Sequence, residues 1–205
     1  PPYQIPRLTS VVAEVVTASK AFLRKVTSII LATTVVLWVL LNLPLHSEAD
    51  MVAAGVDTGD EAAVSSYVVN NSYAASIGRA MEPIFAPQGF DWRINIGVLS
   101  SLAAREVFVA TLGQVAAAED PEDPVAALQA MRVSDGPEAS RPLFDPPTIA
   151  ALLVFFMFAL QCMSTVGVIR RETGTWTWPL IAFGYMFVLA WVMSLIAGTV
   201  VAALL

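Results

Sequence analysis

The chain is poor in most of what soluble catalytic proteins use. Of its 205 residues only 14% are charged, one is cysteine and one is histidine. A soluble domain carries about a quarter of its residues charged. With 57% of residues hydrophobic and a mean hydropathy of +0.68, the composition points to a bilayer environment instead. The single cysteine excludes an internal disulfide. The single histidine, His46, lies in a loop beside Pro44 and excludes a histidine-rich zinc site. No G-x-x-x-x-G-K-S/T cradle for nucleotide phosphates occurs, and no G-x-S-x-G nucleophile elbow. We expect no catalytic residue here. The net charge of -6 gathers in residues 46–61 and 119–145, and no basic field suits nucleic acid. The chain opens "PPYQIPRL", without methionine or a signal pattern, and reads as an excerpt of a longer polypeptide.

Long apolar runs are what it does have. A helix that crosses a bilayer needs about 20 consecutive apolar residues. Thr148–Ile169 and Trp178–Leu205 meet this without a charge. The short "RRETGTWTW" between them puts aromatics at headgroup level. Residues 148–205 therefore read as a helical hairpin of two membrane spans. Residues 26–43 form a further span, ended by Pro44, which cannot continue the hydrogen-bond ladder. Residues 1–25 read as an amphipathic juxtamembrane helix, apolar at Val11, Val12, Val15, Val16, Phe22 and Leu23. Its Lys20, Arg24 and Lys25 favour the cytoplasmic side.

Residues 44–93 are too polar to span and read as a loop with one interfacial helix. That helix has apolar spacing at Ile77, Met81 and Ile84 and a stop at Pro87 and Gly89. Phe85, Phe90 and Trp92 suit the membrane interface. Residues 118–147 form an acidic, proline-rich loop with one short helix near 125–131.

Residues 94–117 form an apolar segment carrying "SSLAAREVFVATLG", with an arginine and a glutamate side by side. A charge at bilayer centre costs at least ~2.5 kcal/mol. Adjacent helical residues point about 100° apart, so Arg105 and Glu106 need separate partners. The segment must face protein or an aqueous cavity rather than lipid. If every span crosses, Arg170 and Arg171 land opposite Lys20, Arg24 and Lys25, against the positive-inside tendency. A segment that dips in and returns removes the conflict; both topologies stay open. The expected fold is all-α: a polytopic helical membrane protein with about four membrane segments, one of them crossing or re-entrant, plus amphipathic interfacial helices.

A second polar cluster lies in "LQCMSTVGV". Gln161, Ser164 and Thr165 follow i, i+3, i+4 spacing, and Cys162 flanks their face. The bland reading is hydrogen-bonded glue between helices. The functional one is a polar stripe along a permeation route, with a soft sulfur suited to transition metals and Glu106 as a hard ligand. Composition alone reaches a polytopic membrane protein handling a small polar solute or ion.

Two long stretches resemble a known family. "SYAASIGRAMEPIFAPQGFDWRINIGVLSSLAAREVFVATLG" and "QCMSTVGVIRRETGTWTWPLIAFGYMFVLAW" are similar to the bacterial ferrous iron transport protein B (FeoB) family, and "FLRKVTSIILATTVVLWVLLNLP" resembles the span preceding them. The resemblance implies the later membrane part, with a second gate region, of an Fe(II) importer of the bacterial cytoplasmic membrane. It implies GTP, and with it Mg, only through an N-terminal G domain that this chain lacks. It also implies a first gate region of the same protein, small accessory Feo proteins and a homo-oligomer as partners. The family's metal-path cysteine maps to Cys162, and its "AAREV" motif maps to Ala103–Val107, making Arg105 and Glu106 gate-region residues. "RRETG" falls on Arg170–Gly174, where Glu172 is free to pair with Arg170 or Arg171 at the surface. Transport of another solute (another divalent metal, or a nucleoside-like one) and a purely structural membrane subunit remain as alternatives.

Overall fold

A computed structural model describes residues 8–44, 47–102, 105–120, 122–133, 140–159 and 163–205. The fold is that of an all-α membrane protein. In chain order its helices are α1 (Leu8–Asn42), α2 (Glu48–Ala53), α3 (Glu61–Asn70) and α4 (Tyr73–Phe85). A 3-10 turn, Ala86–Gln88, then leads into α5 (Trp92–Ser101), α6 (Glu106–Glu119) and α7 (Pro124–Ala130). The chain ends in α8 (Pro146–Phe158), α9 (Met163–Thr173) and α10 (Thr177–Leu204). Among the described residues the only bridge outside helices joins Arg132 and Pro142.

Short side chains set most helix starts, each accepting from an otherwise orphaned backbone N–H. Ser72 accepts from the Ala75 amide at 3.1 Å, Asp123 from Ala126 at 2.9 Å and Asp145 from Thr148 at 2.9 Å. α4 ends in the 3-10 turn, and Gly89 follows at φ 77°, a left-handed conformation that glycine adopts without steric cost.

α1 is one continuous helix of 35 residues across the boundary expected at residue 25. Nothing between Leu8 and Asn42 breaks it, since the stretch holds neither glycine nor proline. Among the described residues one helix, Thr177–Leu204, is long and apolar enough to cross a membrane, with a mean hydropathy of 2.3. α6 and α8 are apolar but shorter.

The core forms where α4, α8 and α10 meet. The Phe85 ring stacks on Phe90 at 5.8 Å and meets Phe155 edge-on at 5.7 Å, while Phe155 meets Phe187 edge-on at 6.2 Å. Such pairs add about 0.5–1.5 kcal/mol each beyond their buried area. Phe85, Phe90 and Trp92 therefore do not face the membrane interface: they are 1%, 2% and 0% exposed inside the protein. Aromatics mark an interface only when their helix keeps that face outward; here Phe155 and Phe187 of α8 and α10 cover Phe85 and Phe90, and Arg79 of α4 lies over Trp92.

α8 and α10 pack antiparallel along a row of small residues at i, i+4 spacing: Ala190, Ser194 and Gly198. The Ser194 hydroxyl donates to the Ala151 carbonyl at 2.7 Å, and a Cβ placed on Gly198 would sit 3.3 Å from Ala151 Cβ. α4 and α5 approach even more closely. A Cβ on Gly78 would lie 2.4 Å from the Trp92 carbonyl oxygen, so only glycine fits.

Candidate functional site

The apolar segment with the Arg–Glu pair is two helices, not one. Ser100 and Ser101 at the end of α5 donate their hydroxyls back to the Gly97 and Val98 carbonyls, at 2.7 and 2.6 Å. Such local bonds compete with the helical ladder. The Leu102 amide reaches only to Leu99 and Ser100, and α6 starts afresh at Glu106. α6 folds back on α5: the Ser100 and Thr111 hydroxyls pair at 2.8 Å, and Phe108 fills the space a Cβ on Gly97 would need.

The run Thr148–Ile169, expected as one span, is likewise two helices. α8 stops at Phe158, and Ala159 turns to an extended backbone at φ -70°, ψ 133°. Its amide still bonds the Phe155 carbonyl at 2.9 Å. α9 begins at Met163. No proline or glycine marks this break, so hydropathy could not reveal it.

The two breaks touch. The Met163 amide donates to the Leu102 carbonyl at 3.0 Å. The Arg105 guanidinium donates to the Phe156 carbonyl in the last turn of α8. The Phe108 and Phe156 rings meet at 4.6 Å. A broken helix leaves amides and carbonyls without ladder partners, and backbone polar groups in an apolar setting need partners. Here each break supplies the other. A cation against the carbonyl end of α8 also suits the negative end of its dipole.

Of the expected site residues that are described, Arg105 bonds across this contact. Arg105 and Glu106 are exposed, Glu106 as the first residue of α6, where an acidic group suits the helix dipole. Gln161 and Cys162 lie outside the described residues. Ser164 and Thr165 stand in the first turn of α9, with Thr165 exposed. Arg170 and Arg171 occupy the last turn of α9. The Arg170 guanidinium lies 5.5 Å from the Trp176 ring centroid, and Arg171 reaches exposed Glu172 at 3.5 Å. Among the described residues no group of three or more His, Cys, Asp or Glu could hold a metal ion.

Below the breaks lies an apolar pocket lined by Leu99, Leu102, Phe155, Ala159 and Phe187, among others. It offers no polar chemistry of its own.

Sequence reasoning missed the anchor at the base of the α5–α6 hairpin. Asp91 caps α5 through the Arg93 and Ile94 amides, at 2.9 and 3.2 Å. Its other oxygen pairs with the Arg93 guanidinium at 3.0 Å, and Arg93 also donates to the Arg132 carbonyl at 3.0 Å. Two guanidiniums lie over the Trp92 ring, Arg93 5.2 Å and Arg79 5.6 Å from its centroid. Burial pushes the Asp91 carboxyl above its ordinary range, against the pull of Arg93 and the amides. The available signal was the aspartate just before an apolar helical stretch. At the start of α8, burial raises the Asp145 carboxyl, but hydrogen bonds from Thr148 and the Arg141 guanidinium outweigh it and hold it below its ordinary range.

The family model described as "Gate: Nucleoside recognition" matches residues 23–176, a range that contains both breaks. The chain is 36% identical over 199 residues to an Fe(2+) transporter FeoB of Leptospira interrogans, covering 96% of this chain and 27% of that protein. It is 31% identical to a fusion of Fe(2+) transport protein A and Fe(2+) transporter FeoB from Porphyromonas gingivalis, covering 95% and 25%. It is 29% identical to an Fe(2+) transporter FeoB of Methanocaldococcus jannaschii, covering 98% and 26%. The chain thus spans about a quarter of the length of the curated relatives it matches. No solved structure matches it. The match over residues 23–176, well over half of the chain, shows that it belongs to the Gate (nucleoside recognition) family.

Proposed function

We propose that this chain is the part of an Fe²⁺ importer's membrane domain that builds the ion route where its two helix breaks meet. The observation that carries the reading is the Met163–Leu102 contact at 3.0 Å, set in a chain of which 96% aligns with a protein named an Fe(2+) transporter. Helices α5, α6, α8 and α9 have 10, 14, 13 and 11 residues. At about 1.5 Å per residue none spans a hydrocarbon core of about 30 Å. Interrupted helices at membrane depth are tolerated where they line a cavity or are buried in protein. In this reading the α5–α6 hairpin is re-entrant, which also brings Arg170 and Arg171 to the side of Lys20, Arg24 and Lys25.

Cys162 and Glu106 are the proposed path ligands, a soft thiolate and a hard carboxylate for a borderline cation. Gln161, Ser164 and Thr165 are proposed to add amide and hydroxyl oxygens to the same route. Arg105, Arg170, Arg171 and Glu172 hold the surrounding helices. GTP with Mg²⁺ acts through a G domain in the remaining length of the protein, which gates this route. Small accessory Feo proteins and further copies of the chain are its proposed partners, in a bacterial cytoplasmic membrane.

Glu106→Gln should abolish Fe²⁺ uptake while the protein accumulates in the membrane, and Cys162→Ser should do the same. Uptake at the wild-type rate in both variants takes the two side chains off the path. The nucleoside wording of the matched family favours one second reading, a nucleoside-like cargo. Uptake that competes with nucleosides and ignores Fe²⁺ would select it.

A further inference from the structure

Arg105 does more than bridge two helices. Its guanidinium donates to the Phe156 carbonyl, in the final turn of α8. The last carbonyls of a helix lack amide partners and carry the negative end of the helix dipole. Ala159, just beyond the helix, is extended, so the ladder does not continue over this end. Oxygens of this kind at interrupted membrane helices are also the groups that bind small cations. Arg105 is exposed and stands beside exposed Glu106, so its cation is held at the surface of the contact rather than locked in the core.

We propose that Arg105 is a tethered surrogate cation. It occupies the carbonyl end of α8 while the route is empty, and the arriving divalent cation competes with it for that end. Displacing Arg105 frees one polar link between the breaks and leaves the Met163–Leu102 bond in place. Arg105 is thus a positioning residue whose competition sets the apparent affinity for the cargo. The inference rests on the Fe²⁺ reading above and adds the regulation of that site.

A protein whose binding-competent state is populated only in part shows an affinity lowered by that fraction. Removing the competitor therefore tightens apparent binding. The experiment measures Fe²⁺ uptake under reducing conditions by the full-length protein in membrane vesicles, for wild type, Arg105→Lys and Arg105→Gln, with membrane abundance scored in parallel. Arg105→Gln should lower the half-saturating Fe²⁺ concentration about tenfold. Arg105→Lys keeps the charge but loses the planar fork, and should lower it by about twofold to threefold. A merely structural role predicts a lost maximal rate with half-saturation unchanged or raised. That pattern in both variants at wild-type abundance overturns the proposal. If Arg105→Gln does not accumulate, Arg105→Lys decides by the same criterion. A wild-type protein with no saturable Fe²⁺ uptake is a different result, and overturns the transport reading itself.

Discussion

The amide of Met163 donates to the carbonyl of Leu102 at 3.0 Å, joining the start of one half-helix to the end of another 61 residues earlier. Each group would otherwise be an orphan of its own broken ladder. The bond makes the two interruptions a single structural unit. Its consequences can be measured.

Cysteines placed at 102 and 163, in a Cys162→Ser background, should cross-link under mild oxidation. A backbone hydrogen bond between two residues brings their Cα atoms to within about 5–6 Å, the usual span of a disulfide. The cross-link is read by gel mobility after proteolysis between the helices. Failure to cross-link shows that the breaks do not meet.

Gly78→Ala should destabilise the protein by about 1–3 kcal/mol or prevent accumulation, because the new Cβ would sit 2.4 Å from the Trp92 carbonyl oxygen. Gly113→Ala is the control. Nothing lies within 4 Å of a Cβ there, and the residue is inside α6. Alanine should gain up to about 1 kcal/mol of helix propensity at that position. Thermal unfolding in detergent compares the two.

Ser194→Leu should loosen the α8–α10 pair by about 1–3 kcal/mol, since Ser194 is buried and donates to the Ala151 carbonyl at 2.7 Å. Ser194→Ala loses only the hydrogen bond and should cost about 0.6 kcal/mol. Unfolding midpoints in matched detergent distinguish a packing constraint from a bonding one.

Acid stability should carry the signatures of two aspartates of opposite sign. Asp145 has a folded pKa below its unfolded one. Its contribution is fully present above the ordinary carboxylate value of about 3.9, and is lost as pH falls through the lowered value. Asp91 is raised. Its contribution is therefore full below the ordinary value and is lost as pH rises through the raised one. Asp145→Asn should narrow the stability difference from wild type as pH drops. Unfolding midpoints measured from neutral pH into the acid range test the sign; a difference that widens instead refutes it.

Much of this was legible along the chain. The apolar spacing of Ile77, Met81 and Ile84 and the Pro87–Gly89 stop describe α4 and its turn, because helical period and glycine conformations are local matters. The charged pair at 105–106 also announced that its segment must find partners, since desolvation is costly wherever the segment sits. The partner itself was not legible. Arg105 meets a carbonyl, and every residue carries one, so nothing in the sequence singles out Phe156.

By itself the sequence determined an all-α membrane protein, the approximate limits of α4, α7 and α10, and the place where polarity would have to be compensated. These follow from hydropathy, period and caps, which act over a few residues. Only the tertiary structure decided that Thr148–Ile169 is interrupted, that Phe85, Phe90 and Trp92 turn inward, and that the two interruptions complete each other. The physical reason is that a helix can be broken in an apolar setting only when another element satisfies its exposed backbone. That element is Leu102 to Met163, and Arg105 to Phe156, across the fold.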